Sequence, residues 1–320
     1  MSVRGVRDNA FGTQLGGTHY LAVPAGDEPQ PAHTIPAGEW LRRVQQAGEW
    51  SNERDEPRGD ILFIVHGYYM SEREVIDRHR RLVRALAALP RPFRGVVVSF
   101  DWPTENCALA YMADRHKAKQ TALRLVTDGI RPLAARQSPD CPVNVHLLGH
   151  STGAYVIREA FDDADDMQLK SAAWNVSQIC LVAADISARS LASGDPDGAS
   201  LYAHCQRLTN YFSRHDAALD LSNVKRVGLA PRAGRTGLPP DCPAKAVSVD
   251  CSDYYRQLQT NPALQRQDQP EGFVGERSHS WYFGNRPFTR DLFATLTGTD
   301  RASVATRAVD AEGGLRLAPA

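Results

Sequence analysis

VNVHLLGHSTGAYVIREAF, residues 143 to 161, changes its periodicity at the middle. Val143 to Leu148 is a short apolar run of the kind a buried strand needs, and Thr152 to Phe161 has helical character. Between them stands Gly149-His150-Ser151-Thr152-Gly153. A serine hydroxyl that projects from a tight strand-to-helix turn needs small residues two positions to either side, where a Cβ would collide with the turn. The helix that follows aims its first amide N–H groups at an oxyanion formed by attack at that serine. The pentapeptide alone is a weak signal. A strand before it and a helix after it are the context it requires, and both are present, so Ser151 is the expected nucleophile.

The flanking sequence repeats this alternation. Ile61 to Val65 and Val96 to Phe100 read as buried strands, joined by a helix with Val75, Leu82, Leu86 and Leu89 on one face and Pro90 as its stop. A long helix is expected from about Ala108 to Ala134. Further strands are expected at Gln178–Ala184, Leu208–Phe212 and Ala246–Val249, and a closing helix within Trp281–Leu296. Strands alternating with helices imply parallel pairing and right-handed crossovers. Continuous apolar runs suit strands covered on both faces. The expected fold is α/β, with a mostly parallel central sheet, helices on both faces and no large cap domain.

Residues 1–59 are rich in Gly, Pro and charge. They read as an extension packed on the main domain, with a short helix in Ala37–Glu49. Residues 60–299 form that domain, and 300–320 a flexible tail. Gly228 to Pro243 reads as a Gly/Pro loop, and Ile186 to Ala203 as a candidate small lid.

Upstream of Ser151, ILFIV runs directly into His66-Gly67-Tyr68-Tyr69. Such a turn after an early strand exposes a backbone N–H toward the nucleophile, so the expected oxyanion donors are the N–H groups of Tyr68 and Thr152. Each such donor is worth on the order of 3 kcal/mol in the transition state. Chain order in this architecture is serine, acid, histidine. His204 lies in an expected helix and His215 comes too early, which leaves His279 as the base. Asp216, after the fifth of these strands, is the favoured acid. Asp185 and Asp250 follow other strands and remain alternatives, and Asp220 reads as a capping residue. Tyr68, Tyr69, Met70, Trp102 and Tyr111 are candidates to line an acyl or alcohol pocket, with ordinary packing as the competing reading.

Taken together, IVHGY, SFDWPT, YMADRHKA, LLGHSTGAYV, LVAADIS, SRHDAALDLS and SHSWYF resemble a bacterial family of α/β hydrolases of unknown function, DUF900. The resemblance runs from about Ile61 to about Leu296. It implies a serine-hydrolase fold with Ser151, Asp216 and His279 in the triad positions, and it implies no substrate. Thr152 departs from the methionine common in relatives. Asp114 and Arg115 are expected to fix the long helix over the sheet.

Composition narrows the partners. The chain has 37 basic and 37 acidic residues, so a nucleic acid or an anionic membrane surface has no electrostatic support. No run approaches the roughly 18 apolar residues of a membrane span, and the N-terminal sequence lacks a signal-peptide core, which together read as a cytoplasmic protein. The six cysteines form no CxxC pair, and neither a disulfide framework nor a zinc site is expected. GxGxxG and P-loop patterns are absent, so no cofactor is expected. The expected activity is cleavage of a small or moderately sized carboxylic ester or related acyl bond through an acyl-enzyme. Acyl transfer by the same triad, and a non-catalytic binding protein on a hydrolase fold, are the alternatives.

Overall fold

The computed structural model describes residues 1–52, 57–105, 111–135, 143–166, 174–224, 230–268 and 278–318. The chain divides into two compact units, Met1–His79 with Arg94–Ser177, and Arg80–Phe93 with Gln178–Ala320.

In the first unit, β1 (Ser2–Arg7) and β2 (Ala10–His19) form an antiparallel hairpin. Asp8 and Asn9 both take positive φ between the paired Arg7 and Ala10, the geometry of a type I′ turn, which Asp and Asn tolerate better than most residues. Next come α1 (Ala37–Gly48), β3 (Glu49–Ser51), β4 (Pro57–Val65), α2 (Glu72–Ala87, whose first half belongs here) and β5 (Val96–Phe100). The unit closes with α3 (Tyr111–Arg124), α4 (Arg131–Ala134), β6 (Val143–His150) and α5 (Thr152–Asp166).

β4 is the centre of this unit. It runs parallel to β5, Ile61 opposite Val96, and parallel to β6, Gly59 opposite Val143; β3 pairs antiparallel with its start. Ile61, Leu62, Phe63, Val65, Val145, Leu147 and Leu148 have no exposed surface, as continuous apolar runs require between two helical layers. α1 packs on β4 and β5, and α3 packs on α5.

The long helix expected up to Ala134 is interrupted. Leu125–Ile130 is a π-helical segment between α3 and α4. Pro132 is the cause: it has no N–H for the carbonyl of Asp128, and its ring crowds that carbonyl. The carbonyl instead accepts the Tyr20 hydroxyl at 3.0 Å. Residues 108–110 of that expected helix lie outside the described residues.

The second unit contains β7 (Val176–Val182, chiefly here), α6 (Pro196–Ala203), β8 (Cys205–Phe212), α7 (Ala217–Val224), α8 (Ala233–Thr236), β9 (Ala246–Asp250), α9 (Ser252–Thr260), α10 (Pro262–Asp268), α11 (Arg286–Leu296), β10 (Arg307–Val309) and β11 (Leu315–Leu317). β8 neighbours β7 and runs parallel to β9.

Two expectations are corrected here, for the tail and for the Gly/Pro loop. The tail after Thr299, expected to fray, supplies the β10–β11 hairpin, and β11 pairs parallel with β9. It is held by Arg307, whose guanidinium donates to the buried Asp291 carboxylate of α11 at 2.6 Å. The closing helix lies within the expected stretch as α11, starting at Arg286, where Gly284 takes φ 91 and Asn285 caps the helix by accepting the Phe288 N–H. The Gly/Pro loop holds the short turn α8, packed so closely that a Cβ on Gly234 would stand 2.1 Å from Ala184 N. The segment considered as a lid carries α6, with Leu191, Leu201 and Tyr202 buried.

Candidate active site

Ser151 sits between β6 and α5 with φ 56, a left-handed conformation that costs a non-glycine residue energy and is kept only where its surroundings enforce it. Those surroundings are the two glycines. A Cβ on Gly149 would stand 2.7 Å from Ile157 Cδ1, and one on Gly153 only 2.1 Å from the carbonyl oxygen of Val65. The Ser151 carbonyl accepts the Ala154 N–H at 3.1 Å, which closes the first turn of α5. Ser151 is 3% exposed and Thr152 is fully buried. His150 is held by Arg78 of α2, whose guanidinium donates to Nδ1 at 2.9 Å.

The His66–Met70 loop leaves β4 directly beside this turn. A Cβ on Gly67 would stand 2.9 Å from Ser151 Cβ and 3.4 Å from its Oγ, so backbone approaches the serine as closely as sterics allow. Tyr69 has φ 57, a second strained position two residues further on. The His66 ring lies between three fixed groups. Trp102 donates its backbone N–H to Nε2 at 3.1 Å, Asp101 Oδ1 stands 3.2 Å from the same nitrogen, and Nδ1 meets the Gly67 carbonyl at 2.7 Å. Burial is the largest influence on His66 and lowers its pKa, opposed by Asp101 and the Gly67 carbonyl. Burial also acts to raise the Asp101 carboxyl, but Arg4 and His66 outweigh it and hold that carboxyl well below the usual carboxylate range.

Asp216 and His279 meet in the second unit. His279 Nδ1 lies 2.7 Å from Asp216 Oδ2, with the Asp216 side chain fully buried. The other oxygen, Oδ1, accepts the Leu219 N–H at 3.0 Å and so caps α7. Ser278, beside His279, accepts the Ala217 N–H through its hydroxyl. Each alternative acid has another partner. Asp185 faces Arg232 at 3.3 Å. Asp250 accepts from the Ser252 backbone and from Arg214. Asp220 pairs with Arg235. Of the other histidines, His204 ends α6 as its cap and His215 lies in the turn after β8.

The pocket candidates separate. Tyr69 is half exposed, and Met70 is buried. Trp102 has no exposed surface; it stacks on His66 with ring centroids 5.3 Å apart and donates its indole N–H to the His66 carbonyl, which is a packing role. The Tyr111 side chain lies outside the described residues. Asp114 is buried beside the same loop: it accepts the Glu105 N–H at 2.7 Å, and burial raises its carboxyl against the opposing backbone N–H groups of Glu105 and Tyr69. Arg115 places its guanidinium 3.5 Å above the Tyr155 ring of α5. The described cysteines Cys180, Cys205, Cys242 and Cys251 are free thiols. Burial pushes Cys180 up to about 12 and Cys205 to about 11, which makes both poor nucleophiles. Cys107 and Cys141 lie outside the described residues.

Residues 44–236 match the family described as alpha/beta hydrolase of unknown function (DUF900). The chain belongs to the DUF900 family. Its fold is that of the α/β hydrolases, which supports a hydrolase. The match takes in His66, Ser151 and Asp216 and ends before His279. No curated protein matches this DUF900 chain. Among solved structures it is similar to esterase B of Lactobacillus rhamnosis with a tributyrin phosphonate inhibitor, at 13% identity and a TM-score of 0.30. That alignment covers 52% of this chain and 59% of the other, so the DUF900 chain spans less than two thirds of that esterase. A Rhizomucor miehei esterase aligns at 12% identity over 74% of each chain with a TM-score of 0.35. An esterase/lipase from an uncultured bacterium aligns at 13% over 80% of this chain and 92% of its own, with a TM-score of 0.33. Among the described residues, no helix is long and apolar enough to cross a membrane.

Proposed function

We propose that this DUF900 protein is a serine hydrolase that cleaves a small carboxylic ester or related acyl bond through Ser151, His279 and Asp216. The observation that carries this reading is Ser151 itself, held at φ 56 by two glycines with no room for a Cβ, and with the Gly67 backbone against its side chain. Strained residues cluster at functional sites, and a serine held at such a strand-to-helix turn between two glycines is the setting of a nucleophile.

In the proposed cycle His279 takes the Ser151 proton as Oγ attacks the carbonyl. Asp216 holds the imidazole with hydrogen on Nδ1 and stabilises the imidazolium that forms. The N–H groups of Tyr68 and Thr152 carry the oxyanion, His279 protonates the leaving alcohol, and water activated by the same base cleaves the acyl-enzyme. Tyr69, half exposed on the loop after Gly67, is the proposed substrate contact. Residues 60–299 would carry the whole catalytic set, with 1–59 packed against its first unit.

A fluorophosphonate probe tests the reading. Wild type should be labelled and Ser151→Ala should not, after which acyl esters of graded chain length rank the substrates. Folded wild type that takes no label would overturn the proposal and favour a binding role for the fold.

A further inference from the structure

The oxyanion loop is braced from outside the family-matched segment. Arg4, in β1, is 1% exposed. Its Nε donates to both Asp101 carboxylate oxygens, at 2.8 and 3.0 Å, and its Nη2 donates to the Met70 carbonyl at 2.8 Å. Its remaining nitrogen faces Glu72 at 3.4 Å. Ser2 adds a hydroxyl to Asp101 Oδ2 at 2.7 Å, and the β1 backbone is tied to the end of β5 by the Val3 N–H on the Asp101 carbonyl. One planar guanidinium therefore grips both ends of the His66–Met70 loop: the Met70 end directly, and the His66 end through Asp101 and the next residue in the chain, Trp102, whose backbone N–H donates to His66 Nε2.

The His66 end leads to the reacting groups. The Trp102 backbone N–H can only donate, so His66 Nε2 accepts from it and the ring hydrogen sits on Nδ1. The Gly67 carbonyl, 2.7 Å from Nδ1, accepts that hydrogen. This carbonyl and the Tyr68 N–H belong to one planar trans peptide and point in opposite directions, so fixing the first aims the second. The same peptide lies against Ser151. At the far end Thr104 Oγ1 accepts the Met70 N–H at 3.0 Å and donates to the Met70 carbonyl at 2.7 Å. A loop carrying a strained Tyr69 needs both anchors to keep one geometry.

We propose that Arg4 is a positioning residue for the oxyanion site, acting through Met70 and through the Asp101–Trp102–His66–Gly67 relay to orient the Tyr68 N–H beside Ser151. The inference rests on the serine-hydrolase reading above. It gives the N-terminal hairpin a part in the reaction, and it depends on the fork geometry of arginine rather than on positive charge alone.

The test compares wild type with Arg4→Lys, which keeps a cation opposite Asp101 but cannot reach Asp101 and Met70 together. On an ester substrate, kcat should fall at least tenfold while KM stays within twofold, and affinity for a boronate transition-state analogue should fall in parallel with kcat. A structural role alone would lower thermal stability without that split. Equal kcat and boronate affinity in folded Arg4→Lys would overturn the brace. If Arg4→Lys melts below the assay temperature, the isosteric Thr104→Val reads the same brace at Met70: a fall in kcat at constant KM supports it, and unchanged kcat sinks it. Wild type that fluorophosphonate does not label would instead remove the underlying function. A labelled wild type beside equally active variants would remove only the role of Arg4.

Discussion

His279 Nδ1 and Asp216 Oδ2 lie 2.7 Å apart, and the second oxygen of the same carboxylate caps α7 through the Leu219 N–H. One aspartate thus serves a helix and an imidazole. The helix cap fixes the carboxylate, and the fixed carboxylate decides which ring nitrogen of His279 carries hydrogen. Asp216 is fully buried, so it has no solvent to satisfy it in place of these partners.

Asp216→Asn therefore tests the acid. The amide keeps an oxygen for the cap but has no second one for Nδ1–H, which favours the wrong imidazole tautomer. We expect kcat to fall on the order of 10⁴-fold, with the melting temperature changed by only a few degrees. Ester hydrolysis kinetics check it, and an unchanged kcat would reassign the acid.

Gly153→Ala should destabilise by about 3 kcal/mol or more, because the new methyl meets the Val65 carbonyl oxygen, which is backbone of a central strand and has nowhere to move. In an ordinary helix the same change gains about 1 kcal/mol, so the sign alone is diagnostic. Urea denaturation reads it directly, and a stabilised variant would show that the turn is looser than the geometry implies.

Stability should fall in mild acid through His66. Burial depresses the pKa of this histidine in the folded state, against the pull of Asp101 and alongside the Arg4 charge. A group with a depressed folded pKa contributes stability that is fully present above its unfolded value, about 6.5 for histidine, and that is lost as pH falls below it. Asp101, also depressed, adds a loss only below about pH 4. Melting temperature should drop between pH 7.5 and 5, and the drop should be smaller in His66→Asn. Parallel curves for the two proteins would exclude His66 as the source.

Asp291 accepts from Arg307, from the Tyr211 hydroxyl at 2.8 Å and from the Thr306 hydroxyl at 2.9 Å, all buried. Asp291→Ala leaves a buried guanidinium without its counter-charge and should cost roughly 3–5 kcal/mol. A loss below about 1 kcal/mol in chemical denaturation would mean that the β10–β11 hairpin does not depend on this pair.

Local pattern carried most of the architecture. The strands Ile61–Val65, Val96–Phe100, Val143–Leu148 and Leu208–Phe212 were legible because buried parallel strands are written as continuous apolar runs, and Ser151 because its turn tolerates only glycine at two flanking positions. Elements with little apolar surface of their own were not legible. β1 and β2 lie in a Gly-rich stretch whose one strong signal, Asp8-Asn9 at the turn, is short. β10 and β11 are three residues each and exist by pairing with β9 and by the Arg307–Asp291 ion pair.

The sequence was sufficient for the strand–turn–helix around Ser151, since steric exclusion at Gly149 and Gly153 acts over neighbours a few residues away. It also ranked Asp216 first among four aspartates, by its place after the strand that precedes the last one. Chain folding was needed to bring Asp216 within 2.7 Å of His279, 63 residues later, and to seat Arg4 against Asp101 and Met70, 97 and 66 residues distant. Directional hydrogen bonds between such remote groups leave no periodicity in the chain. They are set by where buried strands end, and a lone arginine in a glycine-rich hairpin announces nothing until those ends come together.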